Sequence, residues 1–425
     1  MKKIVILGAG VAGLTCAHLL KNDFEVVVLE KDSNIGGLCQ SFEIDGFWFD
    51  YGAHAAFTKN EEVRYLLEDN LKLEKKLVST MNYKEGKWIK NPVQNNLYVL
   101  DTDEKIRIIK DFVECGNNEN TENYGEWLEV NYGKYFAHNY PYLYTRKYWT
   151  VEPSQMETKW VGIRMYRPTL EEVLYGSYSD NTPEVHYAGE IRYPITGGYG
   201  RYLEKISENL NIICGAQIVN INTKEKYIIY NNQKLEYDEL ISTIPLTEIV
   251  ELMEDIPDEV RDAAKGLDYT TLTLVSLGIR KKDVVPNGAQ AFYVYDQDIL
   301  ASRVYSTSQY GKDNAPEGCT SLQAEIYSSK YKSLDFSQEE IKKKVIDDFI
   351  EMGLFEEEDV IVSDVRQKKY ANIIFTKDIY KNRDIIHDFL DKEKIIYAGR
   401  FGEWDYLWSD QSVISGKRVA EKILE

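Results

Sequence analysis

KIVILGAGVAGLTCAHLL, residues 3–20, carries the pattern of a strand, a glycine turn and a helix. Ile4 to Leu7 is a continuous apolar run, the pattern of a parallel strand covered on both faces. Gly8, Gly10 and Gly13 follow with GxGxxG spacing. Gly8 suits a tight turn, Gly10 lets the backbone approach a pyrophosphate, and Gly13 permits close helix–strand packing. Leu14, Ala17 and Leu20 recur at helical spacing and predict a helix over residues 12–20. Its N-terminus would offer free N–H groups and a positive dipole end to phosphate. A second strand is expected over residues 24–29, with Glu30 at its end, where a carboxylate would accept both hydroxyls of a ribose. Strand, glycine turn, helix and acid in register predict a dinucleotide site.

The rest of the 425-residue chain narrows the setting. A net charge of −19 repels phosphate backbones and anionic lipid, so neither nucleic acid nor a membrane surface is an expected partner. Hydrophobic residues at 43% supply enough apolar surface for a packed core and exclude a disordered chain. The five cysteines are scattered and form no CxxC pair, which argues against disulfides and against a structural metal. No metal site and a cytoplasmic location are therefore expected. Four apolar residues before Gly8 are too few for a secretory or membrane-inserting segment.

Farther along, Ile106, Ile109 and Val113 predict a helix over residues 101–115, stopped by Gly116. Residues up to about 185 read as short helices. Strands are expected within 211–246 and at 270–279, 290–296, 300–306 and 319–329, several alternating as in an antiparallel sheet. Ser337 with Glu340 forms a capping box for a helix ending at Gly353. A strand at 395–398 and a helix from about Gln411 close the chain. The expected class is α/β. A discontinuous Rossmann-type domain (1–95, 190–265, 388–425) would hold a mainly helical insertion (96–189) and a mostly antiparallel substrate-binding sheet (266–387).

Further segments carry a resemblance. Ile35-Gly36-Gly37-Leu38 and the stretch from Gly46 to His54 continue the glycine pattern, and Tyr397-Ala398-Gly399-Arg400-Phe401-Gly402 with Trp404, Tyr406 and Gln411 lies at the far end. Together they resemble the flavoprotein superfamily of amine oxidases and protoporphyrinogen oxidases. Residues 91–96, the block Trp149 to Arg164, and Arg192-Tyr193-Pro194 with Gly197 to Gly200 look most like its nucleotide-sugar branch, the UDP-galactopyranose mutases. The similarity runs over nearly the whole chain.

That resemblance implies FAD, active in its reduced form, with NAD(P)H allowed as external reductant. It implies a nucleotide-diphosphate sugar as partner, interconverted between pyranose and furanose through an adduct at flavin N5, and a place in cell-surface polysaccharide synthesis; a homo-oligomer is compatible with it. The cofactor would be held by Gly8, Gly10, Gly13, Glu30, Gly36, Gly37, His54, Ile218, Gly399, Arg400, Asp410 and Gln411. Substrate would meet Gln94, Trp149, Arg164, Arg303 and Tyr406, with His54, Arg164 and Arg303 as the catalytic set. Arginine suits a diphosphate because its planar fork matches phosphate oxygens. His54 is expected to shape the flavin face rather than to transfer protons.

Departures from the pattern leave nucleotide and sugar open. Asn91 and Val93 stand where the branch carries aromatics before Gln94-Asn95-Asn96, and the second phosphate-contacting tyrosine falls near Ile374, with Tyr370 as a replacement only if that loop shifts. The competing reading is an FAD-dependent oxidase or desaturase, whose neutral or cationic substrates call for an apolar cage. Glu30→Ala removes a charge-assisted acceptor worth roughly 1.5–3 kcal/mol and is expected to weaken FAD retention. Flavin occupancy after dilution and gel filtration measures it, and full retention would contradict the ribose assignment.

Overall fold

Lys3–Leu7 forms the middle of a five-stranded parallel sheet in the computed structural model, which describes residues 1–115, 121–183, 185 and 188–425. The strand order is Ile395–Tyr397, Glu239–Ser242, Lys3–Leu7, Glu25–Glu30, Ile212–Cys214. Ile4 to Leu7 are fully buried, as a continuous apolar strand between two covered faces must be. The five strands come from widely separated parts of the chain, so the sheet is assembled only when the chain has returned to it three times.

Helix Val11–Leu20 begins directly after the glycine turn and packs against the C-terminal helix Ser409–Leu424. Absent side chains set two close approaches here, helix to turn and helix to helix. A Cβ on Gly13 would meet the Gly8 carbonyl oxygen at 2.1 Å, and one on Gly416 the Ala12 carbonyl oxygen at 2.4 Å.

The second sheet has seven strands in the order Val360–Lys368, Thr271–Ile279, Thr320–Ser328, Arg303–Tyr305, Ala291–Val294, Thr80–Lys84, Lys87–Lys90. It is antiparallel except where Ala291–Val294 meets Thr80–Lys84. Residues 80–90, expected with the nucleotide-binding layers, thus extend the other sheet. Backbone pairing with 291–294 places them there, a long-range partner that local pattern does not reveal. Helix Gln338–Glu351 covers one face, buries Ile341, Val345 and Phe349, and starts at the Ser337–Glu340 capping box.

Helices Thr102–Glu114, Tyr124–Tyr132, Lys134–Asn139, Pro141–Tyr148 and Leu170–Tyr178 lie between the sheet strands in sequence. The expected stop at Gly116 lies outside the described residues. Strand Val360–Lys368 and helix Ile379–Lys392 went unread in the sequence. The first is a charged, half-exposed edge, and the second carries only Ile379, Ile386 and Leu390 as its buried stripe. The apolar run from Leu240 ends as a strand at Ser242 and resumes as helix Leu246–Leu252 after Pro245, whose missing N–H fits a helix start. Among the described residues no helix is long and apolar enough to cross a membrane, and the five cysteines are free.

Gly416→Ala is expected to cost about 1–3 kcal/mol, because backbone rather than a yielding side chain stands against the new methyl. Ile414→Ala, at a half-exposed position of the same helix, is expected to stay within about 0.5 kcal/mol. Thermal melts of the two variants against wild type make the comparison, and equal midpoints would dismiss the close contact.

Candidate functional site

The glycine turn opens onto a cavity of about 790 Å³ that continues to the face of the seven-stranded sheet. At the turn, Gly8 takes φ +94° and Gly10 caps helix Val11–Leu20 with no side chain in the way. A Cβ on Gly10 would meet nothing within 4 Å, so open space lies before the helix N-terminus. Glu30 is 7% exposed; its Oε2 accepts the Ala9 N–H at 2.7 Å and its Oε1 the Asp32 N–H at 2.9 Å. That fixes the carboxylate at the cavity wall with lone pairs to spare. Gly36, Gly37, Ile218, Gly399 and Arg400 line the same space. A bare glycine turn, a helix end with no capping side chain and a fixed carboxylate are the donor and acceptor set a dinucleotide needs, so these residues fit one.

Other expected contacts fall elsewhere. Gly13 is internal, serving the helix–turn approach. Asp410 and Gln411 sit in the first turn of helix Ser409–Leu424 but outside the lining, and the Gln411 side chain accepts the Trp408 N–H at 2.8 Å. Ser409 and Ser412 line the cavity in their place. Gln94 donates to the Tyr166 carbonyl at 2.9 Å, away from the cavity. Trp149 is 4% exposed and packs edge-on against Tyr148, Trp160, Phe375 and Tyr406, an aromatic core position.

The far wall is cationic and rich in tyrosine. Arg303 lines it, and its Nε and Nη2 donate to Glu325 at 2.7 and 2.8 Å. Glu325 is fully buried and also accepts the Ala53 N–H and the Tyr327 hydroxyl, both at 2.9 Å. The Arg303 guanidinium lies 5.7 Å from the Tyr148 ring centre, and the Tyr148 and Tyr406 hydroxyls are 3.5 Å apart. Arg400 and Arg164 both approach the Tyr406 ring, at 5.0 and 4.5 Å. Arg164 itself does not line the cavity; it donates to the Trp160 and Tyr406 carbonyls and stacks on Trp408, which does. Tyr370 reaches the lining, but its hydroxyl is 3.0 Å from Thr247 Oγ1 and its ring rests on Tyr269, while Ile374 is fully buried. Glu325, Tyr148, Tyr293 and Tyr327 were missed in the sequence. The available signal was a glutamate alternating with apolar residues inside the strand Thr320–Ser328.

His54 lines the cavity, with Nδ1 3.0 Å from the Gly52 carbonyl. A carbonyl only accepts, so Nδ1 carries the hydrogen and Nε2 is left as an acceptor. Burial, then Arg400 and Arg303, push the imidazole down to about 4. It is neutral at physiological pH. Among the described residues no group of three His, Cys, Asp or Glu could hold a metal.

The lowered His54 value has a consequence for stability. An unfolded imidazole takes a proton near pH 6.5, so this group's contribution is present above that pH and is lost as pH falls toward 4. Asp50, pushed up by burial to about 6, acts in the opposite sense, its contribution being lost as pH rises. His54→Gln is therefore expected to lose less stability than wild type between pH 7 and 4.5. Urea midpoints at the two pH values test this, and identical losses would reject a neutral His54.

Residues 6–69 match the family described as an NAD(P)-binding Rossmann-like domain, and residues 118–424 match the family described as flavin containing amine oxidoreductase. Among curated proteins, the chain is 48% identical over 60 residues to an uncharacterized protein of the nifH2 3′ region of Methanothermococcus thermolithotrophicus. It is 38% identical over 69 residues to protoporphyrinogen oxidase 2 of Arabidopsis thaliana. Those matches take in 14% and 16% of this chain, and 58% and 14% of the relatives. Over its whole length the chain superposes on 94% of the crystal structure of reduced UDP-galactopyranose mutase, with a TM-score of 0.93 at 24% identity. It also superposes on 99% of putrescine oxidase bound to putrescine, with a TM-score of 0.68 at 15% identity. These two likenesses are of fold. With its glycine turn, its interleaved sheets and a family match over most of its length, the chain belongs to the flavin-containing amine oxidoreductases.

Proposed function

We propose that the protein is a flavin-dependent mutase of a nucleotide-diphosphate sugar, interconverting pyranose and furanose forms with FAD as cofactor. The observation that carries this reading is the cationic, tyrosine-lined wall facing the dinucleotide turn across one cavity. A protein of net charge −19 repels a diphosphate; Arg303 and Arg400 on the cavity wall, with Arg164 against the Tyr406 ring outside the lining, oppose that field locally even with Glu325 paired to Arg303. An amine or carotenoid site has no use for such a wall.

In this reading Glu30 and the N–H groups at the start of helix Val11–Leu20 hold the cofactor's ribose and pyrophosphate. Bound and reduced, the flavin supplies an electron-rich nitrogen nucleophile with no net redox change. Neutral His54 would offer an acceptor at the cavity wall and add no charge. Glu325 locks the orientation of Arg303, and a fixed guanidinium binds a leaving diphosphate at little reorganisation cost. Arg164 and Arg400 bracket Tyr406, whose hydroxyl reaches the same region.

The test is anaerobic incubation of dithionite-reduced protein with a panel of nucleotide sugars, following furanose products by chromatography. Arg164→Ala, acting through the position of Tyr406, is expected to retain FAD and lose at least about 2 kcal/mol of transition-state stabilisation, roughly thirtyfold in kcat/KM. Arg303→Ala would strand the buried Glu325 carboxylate, which by itself costs about 3–5 kcal/mol of stability. Arg303→Lys is the cleaner variant and is expected to fall between wild type and Arg164→Ala. Oxygen-dependent peroxide formation with amines, and no furanose from any sugar, would replace the mutase by an oxidase.

A further inference from the structure

Lys147 is a buried cation that the site described above does not use. It lies on helix Pro141–Tyr148 and is 2% exposed. Lysine is almost never buried this fully unless its ammonium is engaged, because taking the charge out of water is costly. Here Nζ donates to the Asp296 carbonyl at 2.6 Å and to the Ile299 carbonyl at 2.8 Å. Both carbonyls belong to the connection between strands Ala291–Val294 and Arg303–Tyr305. One ammonium thus closes that connection on itself and fastens it to the helix. An apolar side chain of similar length would fill the space without the cost of a buried charge, so what the ammonium adds is the two bonds.

The parts it fastens both belong to the cavity wall. Tyr148, next in the chain, lines the cavity, and so does Arg303, at the end of the connection. The two meet where the Arg303 guanidinium lies 5.7 Å from the Tyr148 ring centre. The helix touches the same strands elsewhere: Gln297 donates to the Leu143 carbonyl at 3.1 Å, and the Tyr144 ring stands edge-on to Tyr293 at 5.5 Å. The first of these is exposed to competing water and the second is non-directional beside a charge-assisted bond. Lys147 supplies the directed, water-excluded tie.

We propose that Lys147 is a positioning residue of the cationic wall, whose ammonium sets the separation of Tyr148 and Arg303 and, through it, the fit of a diphosphate. This rests on the mutase reading above. A misplacement of about 1 Å at such a wall is enough to cost on the order of a hundredfold in rate. Burial pushes the ammonium down to about 7; Lys332 adds to that push, and Asp296, Asp348 and Asp298 oppose it. Those groups stand on the turn after strand Thr320–Ser328, on the connection itself and on helix Gln338–Glu351. The charge-assisted tie is therefore present below that pH and weakens to the bonds of a neutral amine as pH rises through it.

The experiment titrates UDP and inorganic pyrophosphate into reduced holoenzyme by calorimetry between about pH 6 and pH 9, for wild type, Lys147→Met and Lys147→Gln. Lys147→Met fills the space without a donor. At the acid end its UDP affinity is expected to fall at least tenfold, with FAD occupancy and flavin absorbance unchanged. Lys147→Gln keeps a neutral donor and is expected to lie between wild type and Lys147→Met; it decides the matter if the methionine variant does not fold. Comparing each variant with wild type at the same pH cancels the ionisation of the ligands. The wild-type advantage is expected to shrink as pH rises through about 7, since only the wild type has an ammonium to lose. A side chain that merely packs would give an advantage independent of pH, and that result would overturn the assignment. So would UDP affinities within twofold of wild type in both variants, or a loss that follows loss of flavin. Failure of the wild type to bind UDP, ADP, GDP, CDP, dTDP or pyrophosphate at any pH is a separate outcome. It would remove the nucleotide-sugar reading itself, and the role of Lys147 with it.

Discussion

Two side chains of one strand fasten the segment that carries His54 to the seven-stranded sheet. In Thr320–Ser328, Gln323 and Glu325 are two residues apart and so project from the same face. Gln323 pairs with Asp50 through both backbone groups, accepting its N–H at 2.8 Å and donating to its carbonyl at 2.9 Å. Glu325 accepts the Ala53 N–H. Tyr305 completes the seam by donating to the Asp50 carbonyl and accepting the Gly52 N–H. The segment from Asp50 to His54 is thereby fastened to the seven-stranded sheet, on which the preceding hairpin (Ser41–Ile44 with Phe47–Asp50) also packs, Phe47 and Phe49 clustering with Val362. His54, Arg303 and the cavity between them take their positions from that seam.

Burial makes the seam demanding. Asp50, Gln323 and Glu325 are all fully buried, and each carries polar atoms that would be costly if unpaired. Asp50 meets the cost with donors from Ser41, Tyr193 and the Tyr199 N–H; Glu325 meets it with Arg303, Tyr327 and Ala53. A network satisfied this fully defines one arrangement and penalises the alternatives. The same pairing has a functional side. Glu325 offsets part of the charge of Arg303 while fixing its plane, so the wall is cationic without being a cluster of unpaired cations.

Much of the fold was legible in local pattern. The glycine turn, its flanking strand and helix, Glu30, the capping box at Ser337 and the long alternating strands at 271–279 and 320–328 are each dictated by neighbours within a few residues. The edge strand Val360–Lys368 was not legible, because its half-exposed, charged surface lacks the apolar alternation that marks a buried strand. Residues 80–90 looked like part of the first layer because they follow it in the chain. Their sheet is chosen by pairing with Ala291–Val294, some two hundred residues away.

The site divides in the same way. Gly8, Gly10, Glu30, Gly36, Gly37, His54, Ile218, Arg303, Gly399, Arg400 and Tyr406 all line the cavity, and their types follow from what a dinucleotide and an anion require. Gln94, Trp149, Asp410 and Gln411 do not, since an amide, an indole or a carboxylate is equally at home in a core contact or a helix cap. Glu325 and Tyr148 could be placed at the cavity only once the chain was folded, because each meets it through partners brought from another sheet or helix. The sequence by itself determined that a dinucleotide turn exists, since that turn is a local steric and electrostatic object. Which arginines, tyrosines and amides meet across the cavity was decided by tertiary structure alone, because burial and hydrogen-bond satisfaction are properties of neighbours in space.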